Sequence, residues 1–290
     1  MRDHDGESEM QEHFIELKDV SFSYDEVKAV DHLSIDVGKG QFVGLLGRNG
    51  SGKSTAARLI NSLLVPDEGT VVVDGITADN DELVWQIRTK VGMVFQNPDN
   101  QIIGTSVEED TAFGPENLGI ERPEMVKRVD FALKTAGLDE YRTVEPHHLS
   151  GGQKQRLAIA GVLAMQPECI ILDEATAMLD PIGRSEVMSV IKKLNKEKGI
   201  TIIHITHHMD EVTECDKVYI IDKGTVAAEG KPEEIFSAED GLKSHGLDVP
   251  QVTQLFNELQ RRGIELPDGI ITVEKAAEVI GAKIREKISG

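Results

Sequence analysis

An apolar run from Gln41 to Leu46 leads straight into Gly47-Arg48-Asn49-Gly50-Ser51-Gly52-Lys53-Ser54-Thr55, and Ser54 to Leu64 follow with helical spacing until Val65-Pro66-Asp67 stops them. This strand–loop–helix order is what a G-x-x-x-x-G-K-[ST] loop needs in order to bind phosphate. Its glycines let the backbone curl so that successive N–H groups point inward, forming an anion nest at the positive end of the helix. Lys53 can then reach the β- and γ-phosphates of a nucleotide, and Ser54 can ligate Mg²⁺. A dinucleotide-binding fingerprint fits less well, because Lys53-Ser54 stands where close helix packing would want small residues.

The runs Val91–Phe95, Cys169–Leu172, Ile200–Ile205 and Val218–Ile221 are short and apolar throughout, as strands covered on both faces of a parallel α/β sheet are. Phe14–Tyr24 and Thr70–Val73 also read as strands. Between Asn97 and Met165 the strand-like runs vanish, and helical spacing appears in Met125–Ala136 and Gln153–Leu163. The expected organisation is therefore an acidic leader at 1–13, an α/β core at 14–238 with a helical subdomain at about 97–165, and a small C-terminal region at 239–290. That tail holds two amphipathic segments, one with Val252, Leu255, Phe256 and Leu259 on a face, the other with Val273, Ala276, Ala277 and Ile280, which Thr272 can N-cap. It is too small to build much of a core alone, so it is expected to pack on the main domain or on a partner.

Charge and composition remove other classes. Lys and Arg total 31 against 51 Asp and Glu, a formal charge of −20, which argues against nucleic acid because backbone binding needs a basic face. The longest apolar stretches, such as Ile159–Met165, are far short of the ~18 residues a spanning helix requires. The first residues are acidic and lack the apolar core of a secretory signal. Cys169 and Cys215 share no metal-ligand spacing and read as small buried apolar side chains in a reducing compartment. An intracellular protein without direct membrane insertion is expected, reaching a membrane only through a partner.

Two further motifs narrow the chemistry. Ile170-Ile171-Leu172 ends in Asp173-Glu174, delivering one carboxylate to a Mg²⁺ shell and a second that can take a proton from an attacking water. Alone, such a pair would suggest only a helix cap; beside the 47–55 loop it completes a hydrolytic site. The guanine-specific Asn-Lys-x-Asp pattern is missing, since Asn195-Lys196-Glu197-Lys198 lacks the final Asp. Leu149-Ser150-Gly151-Gly152-Gln153 then offers a capped helix start where glycines let N–H groups approach an anion. One chain can hardly bring this motif and the 47–55 loop onto one nucleotide from opposite sides. A head-to-tail sandwich of two subunits is the simplest geometry.

With these motifs in this order, the sequence resembles the ATP-binding-cassette (ABC) ATPases over roughly residues 14–238. The resemblance implies a P-loop NTPase core, with a RecA-like, mostly parallel sheet, an antiparallel β subdomain and a helical subdomain. It further implies that Tyr24 stacks on adenine, that Gln96 senses Mg²⁺ and the attacking water, and that His207, after Ile205-Thr206, is the switch histidine. Glu174, His207 and Gln96 would be catalytic, and Ser54, Gln96 and Asp173 would hold Mg²⁺. ATP would lie on Tyr24 and residues 47–55 of one subunit, capped by Ser150, Gly151, Gly152, Gln153 and Asp180 of the other.

Phe95-Gln96-Asn97-Pro98-Asp99-Asn100-Gln101, the run Val107–Pro115, Ala175-Thr176-Ala177-Met178-Leu179-Asp180 and the tail from Leu247 to Ile280 are similar to the ATPases of energy-coupling-factor (ECF) vitamin importers and related cobalt importers, and within them to the first of two paralogues. Many ABC proteins carry Pro in place of Ala175 and Gly in place of Met178. The resemblance implies a peripheral subunit on the cytoplasmic face of the cell membrane, pairing with a second ATPase paralogue. Both would dock on a transmembrane coupling protein that serves interchangeable substrate-binding membrane proteins. Glu108-Glu109-Asp110 and Asp99 would suit the arginines that coupling helices carry in this family. A cobalt or nickel importer ATPase is the nearest alternative, and a soluble cassette scaffold of the iron–sulfur assembly type a more distant one.

Overall fold

The structure, a computed structural model, describes residues 13–289. Apart from His13, the leader expected at 1–13 lies outside the described residues. In chain order the elements are β1 (His13–Tyr24), β2 (Val27–Gly38), β3 (Phe42–Leu46), α1 (Lys53–Ile60), β4 (Glu68–Val73), β5 (Ile76–Thr77), α2 (Asp81–Lys90) and β6 (Val91–Val94). A helical stretch follows, with α3 (Val107–Asn117), α4 (Arg122–Ala136) and α5 (Gly151–Ala164). The chain then returns through β7 (Cys169–Asp173), α6 (Pro181–Lys198), β8 (Thr201–Ile205), β9 (Lys217–Asp222) and β10 (Thr225–Gly230). It ends in α7 (Pro232–Ser237), α8 (Glu239–Ser244), α9 (Gln251–Arg261) and α10 (Val273–Ser289).

One sheet has the order β10-β9-β3-β8-β7-β6, parallel except for the β9–β10 hairpin; the other, β2-β1-β4-β5, is antiparallel. Both were expected, and the reason lies in the alternation of side chains along each strand. In β7, Cys169 and Ile171 join the core beneath the antiparallel sheet and α1, while Ile170 and Leu172 join the core under α4, α5 and α6. β3 and β9 divide the same way, so apart from Gly44 the interior positions of these strands carry apolar side chains and the polar residues Asp173, Lys217 and Asp222 stand at strand ends. The segment between β6 and β7 supplies α3–α5 and covers the second face. The expected α/β core with a helical insertion is the one observed.

Several elements differ from expectation. The helix after the glycine loop ends at Ile60, not Leu64: Ser62 takes φ +56°, and the Asn61 side chain bonds the Val91 carbonyl, tying the chain to β6. β2, β10, α2 and α6 lie where no element was expected. In β2 the polar Lys28, Asp31 and His32 and a shifting register with β1 break the alternation, and β10 is a largely exposed edge strand. The Asp180 side chain caps α6, and Pro181 opens it.

The tail divides its loyalties. Leu242, Leu247, Val249 and Ile271 belong to the main core, whereas Phe256, Ile270 and Ala276 form a small cluster of their own with Val252, Leu266, Val279 and Ile280. Thr272 accepts the Lys275 N–H at 3.4 Å, the expected cap. Leu255 and Val273, expected on packed faces, are exposed, because the cluster that buries Phe256 and Ala276 does not extend to them. No described helix is long and apolar enough to cross a membrane.

Candidate functional site

The carboxyl ends of β3 and β7 open onto a cleft of about 760 Å³, lined by Tyr24, Asn49 to Thr55, Arg58, Phe95, Gln96, Asp173 and Glu174 among others. The loop that forms its floor is held by its glycines. Gly52 precedes α1 at φ +107°, and a β-carbon there would stand 2.5 Å from the Ala29 carbonyl oxygen; one on Gly47 would stand 2.2 Å from that of Ile221. Any other residue at either position would push the loop out of the cradle. The opening N–H groups of α1 therefore face the cleft with no helical partner of their own.

Charge converges on this floor. Lys53 is 4% exposed, and its Nζ donates to the Gly47 and Arg48 carbonyls at 2.9 Å each. Burial lowers its pKa, opposed by the Glu174 and Asp173 carboxylates. Ser54 Oγ donates to Asp173 Oδ1 at 2.7 Å. Burial raises the Asp173 pKa, the Ser54 bond lowers it and the neighbouring Glu174 raises it again. A site that raises a carboxyl's pKa by desolvation favours a cation beside it. Ser51 Oγ is buried with no hydrogen-bond partner among the described residues, a donor free for an acceptor oxygen. The set fits both groups that the motifs imply: a polyphosphate on the N–H groups, Lys53 and Ser51, and a divalent cation on Ser54 and Asp173 with the Gln96 amide at the same cleft.

At the mouth, Tyr24 packs edge-on against Phe22 with ring centroids 5.0 Å apart and stays 41% exposed, so a face is open for a flat ring. Arg58 Nη1 lies 3.4 Å from the Tyr24 hydroxyl. Sequence reasoning missed Arg58, although it stands one helical turn beyond Ser54 and Thr55 and so on the same face of α1. Glu174 adopts φ +51°, and its N–H donates to the Ile205 carbonyl at 3.0 Å, holding it beside the end of β8.

Other expected residues lie elsewhere. Gly47 and Arg48 shape the loop without lining the cleft, and His207 is exposed beyond β8 and does not line it either. Arg48 turns toward the C-terminal region, where a β-carbon on Gly246 would be 2.7 Å from Arg48 Cδ, a contact no local pattern announces. Ser150 and Gln153 form a reciprocal capping box at the start of α5, and none of Ser150, Gly151, Gly152, Gln153 or Asp180 lines the cleft. Instead, Gly152 packs closely on Gly183, one turn beyond Asp180. The acidic run expected to meet a partner is already engaged. Asp110 is buried and accepts from the Ile103 and Gly104 N–H groups, Glu108 pairs with Arg142, Glu109 with Thr105, and Asp99 with Lys154. Beside it lies an apolar groove of about 310 Å³ with Trp85, Ile103 and Phe113 exposed.

Residues 30–177 match the model of the ABC transporter family. The energy-coupling factor transporter ATP-binding protein EcfA1 of Clostridium novyi is 52% identical over 276 residues, 93% of this chain and 99% of that protein. The structure of cbiO1 from Clostridium perfringens, part of the ABC transporter complex cbiONQ, is similar with a TM-score of 0.75 and 38% identity, over 84% of this chain and 99% of that one. MJ0796, a bacterial ABC transporter cassette solved as a dimer, is similar with a TM-score of 0.68 and 33% identity, over 75% of this chain and 98% of that one.

Replacing Lys53 by Ala removes charge-assisted bonds of the kind worth roughly 1.5–3 kcal/mol. Titration with a fluorescent nucleoside triphosphate should show affinity falling by about 10- to 150-fold, with the circular dichroism spectrum unchanged.

Proposed function

The chain belongs to the energy-coupling-factor branch of the ABC transporter ATP-binding family, and from that membership we propose that it hydrolyses ATP to drive uptake of vitamins or other micronutrients through a membrane complex. One observation carries the reading: Lys53, the Ser54–Asp173 contact and Glu174 share a single cleft, while the Ser150–Gln153 motif lies outside it. The cobalt or nickel importer and soluble scaffold alternatives are not favoured by relatives at about half identity that carry the energy-coupling-factor name.

The loop N–H groups from Gly50 to Thr55, with Lys53, bind the phosphates, and Tyr24 stacks on the adenine. Mg²⁺, held by Ser54, Asp173 and Gln96, supplies charge neutralisation when bound. Glu174 takes the proton of the attacking water, and Gln96 orients that water. His207 reaches the γ-phosphate when the sandwich closes. Ser150, Gly151, Gly152, Gln153 and Asp180 serve the nucleotide held by a partner ATPase, a second paralogue facing the opposite way; the dimeric state of the similar MJ0796 supports this arrangement. Phosphate charge shared between the two subunits closes the sandwich, and hydrolysis with product release reopens it.

The partner in the membrane is a transmembrane coupling protein served by interchangeable substrate-binding proteins, which places this chain peripherally on the cytoplasmic face of the cell membrane. Its coupling helix enters the Trp85–Ile103–Phe113 groove with an apolar face, because the nearby carboxylates already have partners in this chain. The region 239–290 makes ATPase–ATPase contact, for which the exposed Leu255, Val273 and Ile284 are available.

Glu174→Gln should keep ATP binding and lower turnover of the assembled complex by roughly 10²–10⁴-fold; near-normal phosphate release would remove the assigned role. Phe113→Glu should abolish co-purification with the membrane subunits from detergent extracts while leaving triphosphate affinity intact. Cutting the chain after Pro250, which spares Leu242, Leu247 and Val249 of the main core, should weaken ATPase–ATPase association in nucleotide-free sedimentation; unchanged association would discard the tail's role.

A further inference from the structure

A buried carboxylate outside the nucleotide cleft, Glu211, has no part in the chemistry above. It is 6% exposed and sits on the 3₁₀ turn Met209–Val212, which follows the His207-His208 loop. Its Oε2 accepts from Thr176 Oγ1 at 2.9 Å, His204 Nε2 at 2.8 Å and Thr206 Oγ1 at 2.6 Å. The His204 proton is assigned to Nε2 because an ionised carboxylate only accepts. Burial pushes the Glu211 carboxyl up, but its bonds and charge contact with His204, together with Thr206 and Thr176, outweigh this and hold it at about 2. The charge is therefore permanent at neutral pH.

The donors come from the segments that carry chemistry. Thr176 stands two residues after Glu174, whose φ of +51° is uncommon for a residue with a side chain and persists only where neighbours hold it. Thr206 immediately precedes His207, and its hydroxyl also accepts the His208 N–H at 3.0 Å, fixing the loop on both sides of His207. On the other side of the carboxylate, Oε1 has no hydrogen-bond partner among the described residues and lies 3.6 Å from Arg184 Nε, which also has none. Arg184 belongs to α6, the helix that Asp180 caps, and its Nη1 is 3.1 Å from His208 Nδ1. A buried carboxylate and a half-buried guanidinium just beyond bonding distance form a contact that a small shift of α6 would close.

We propose that Glu211 is a positioning residue: it clamps the Glu174 segment to the His207 loop through Thr176 and Thr206, and couples both, through Arg184, to the helix start that presents Asp180 to the partner ATPase. The proposal rests on the ATPase reading. It adds a physical route by which the state of one nucleotide site reaches the residue offered to the other.

The test uses the full chain with the subunits that accompany it from solubilised membranes, comparing wild type, Glu211→Gln, Thr206→Val, Thr206→Ser and the Glu211→Gln/Thr206→Val double variant. A glutamine amide at 211 can turn its oxygen toward the three donors or toward Arg184 but not both, so neither orientation keeps the clamp and the Arg184 contact together. Expected is a fall in kcat of about 10- to 100-fold, the scale of a misplaced catalytic group, with KM for ATP unchanged. Thr206→Val should behave alike, Thr206→Ser should recover most of the rate, and the double variant should be no slower than the worse single one. Unchanged kcat in the single variants, a rate loss that tracks loss of folded protein, or failure of Thr206→Ser to rescue would overturn the proposal. Should Glu211→Gln fail to fold, the Thr206→Val and Thr206→Ser pair decides alone. Absent hydrolysis in wild type instead sinks the ATPase reading and this inference with it, whereas hydrolysis preserved in Glu174→Gln removes the role of Glu174 and overturns the clamp that would position it.

Discussion

The buried ammonium of Lys53 is the constraint around which the molecule is arranged. A lysine at 4% exposure must find partners, and here its hydrogen bonds go to the carbonyls of its own loop, with Asp173 and Glu174 as countercharges. That arrangement requires the ends of β3 and β7 in one place, which the parallel sheet provides even though β8 lies between them. It also requires a loop that passes close to Ala29 and Ile221, which the glycines allow. Phosphate oxygens are a natural replacement for the carbonyls, so the cradle is already polarised for its ligand.

The second layer of organisation is the distribution of work between faces. The carboxyl ends of the strands carry the cleft, while the start of α5 and the start of α6 pack together through Gly152 and Gly183 and carry residues that cannot use that cleft. Arg156 pairs with Glu186 across the same junction, a second tie between α5 and α6. Glu211 lies behind it, bonded to the segments that follow Glu174 and precede His207.

Legibility in the sequence followed the range of the interaction. The glycine loop, the Asp173-Glu174 pair and the Ser150 cap are set by residues within a few positions of one another, and the structure has each in the expected local setting. The parallel strands were legible because burial on both faces removes polar residues from them. β2 and β10 were not, since exposed or irregularly paired strands lose the alternation that marks them. The acidic run at 108–110 illustrates the opposite error: charge in a sequence says nothing about whether the charge is free, and Asp110 turned inward to bond two backbone N–H groups.

By itself the sequence determined the sheet class, the phosphate-binding loop and the carboxylates at the end of β7, because local backbone geometry and strand burial write those directly into residue type and spacing, and its motifs together carried the resemblance to the ABC ATPases. Only the tertiary structure decided that Arg58 joins the cleft and His207 stays outside it, that Arg48 reaches Gly246, and that the tail lends part of itself to the main core. It alone brought Glu211, His204, Thr176 and Arg184 together. Those outcomes depend on contacts between residues distant along the chain, where the packing of whole elements, not any pattern within one of them, sets which groups meet.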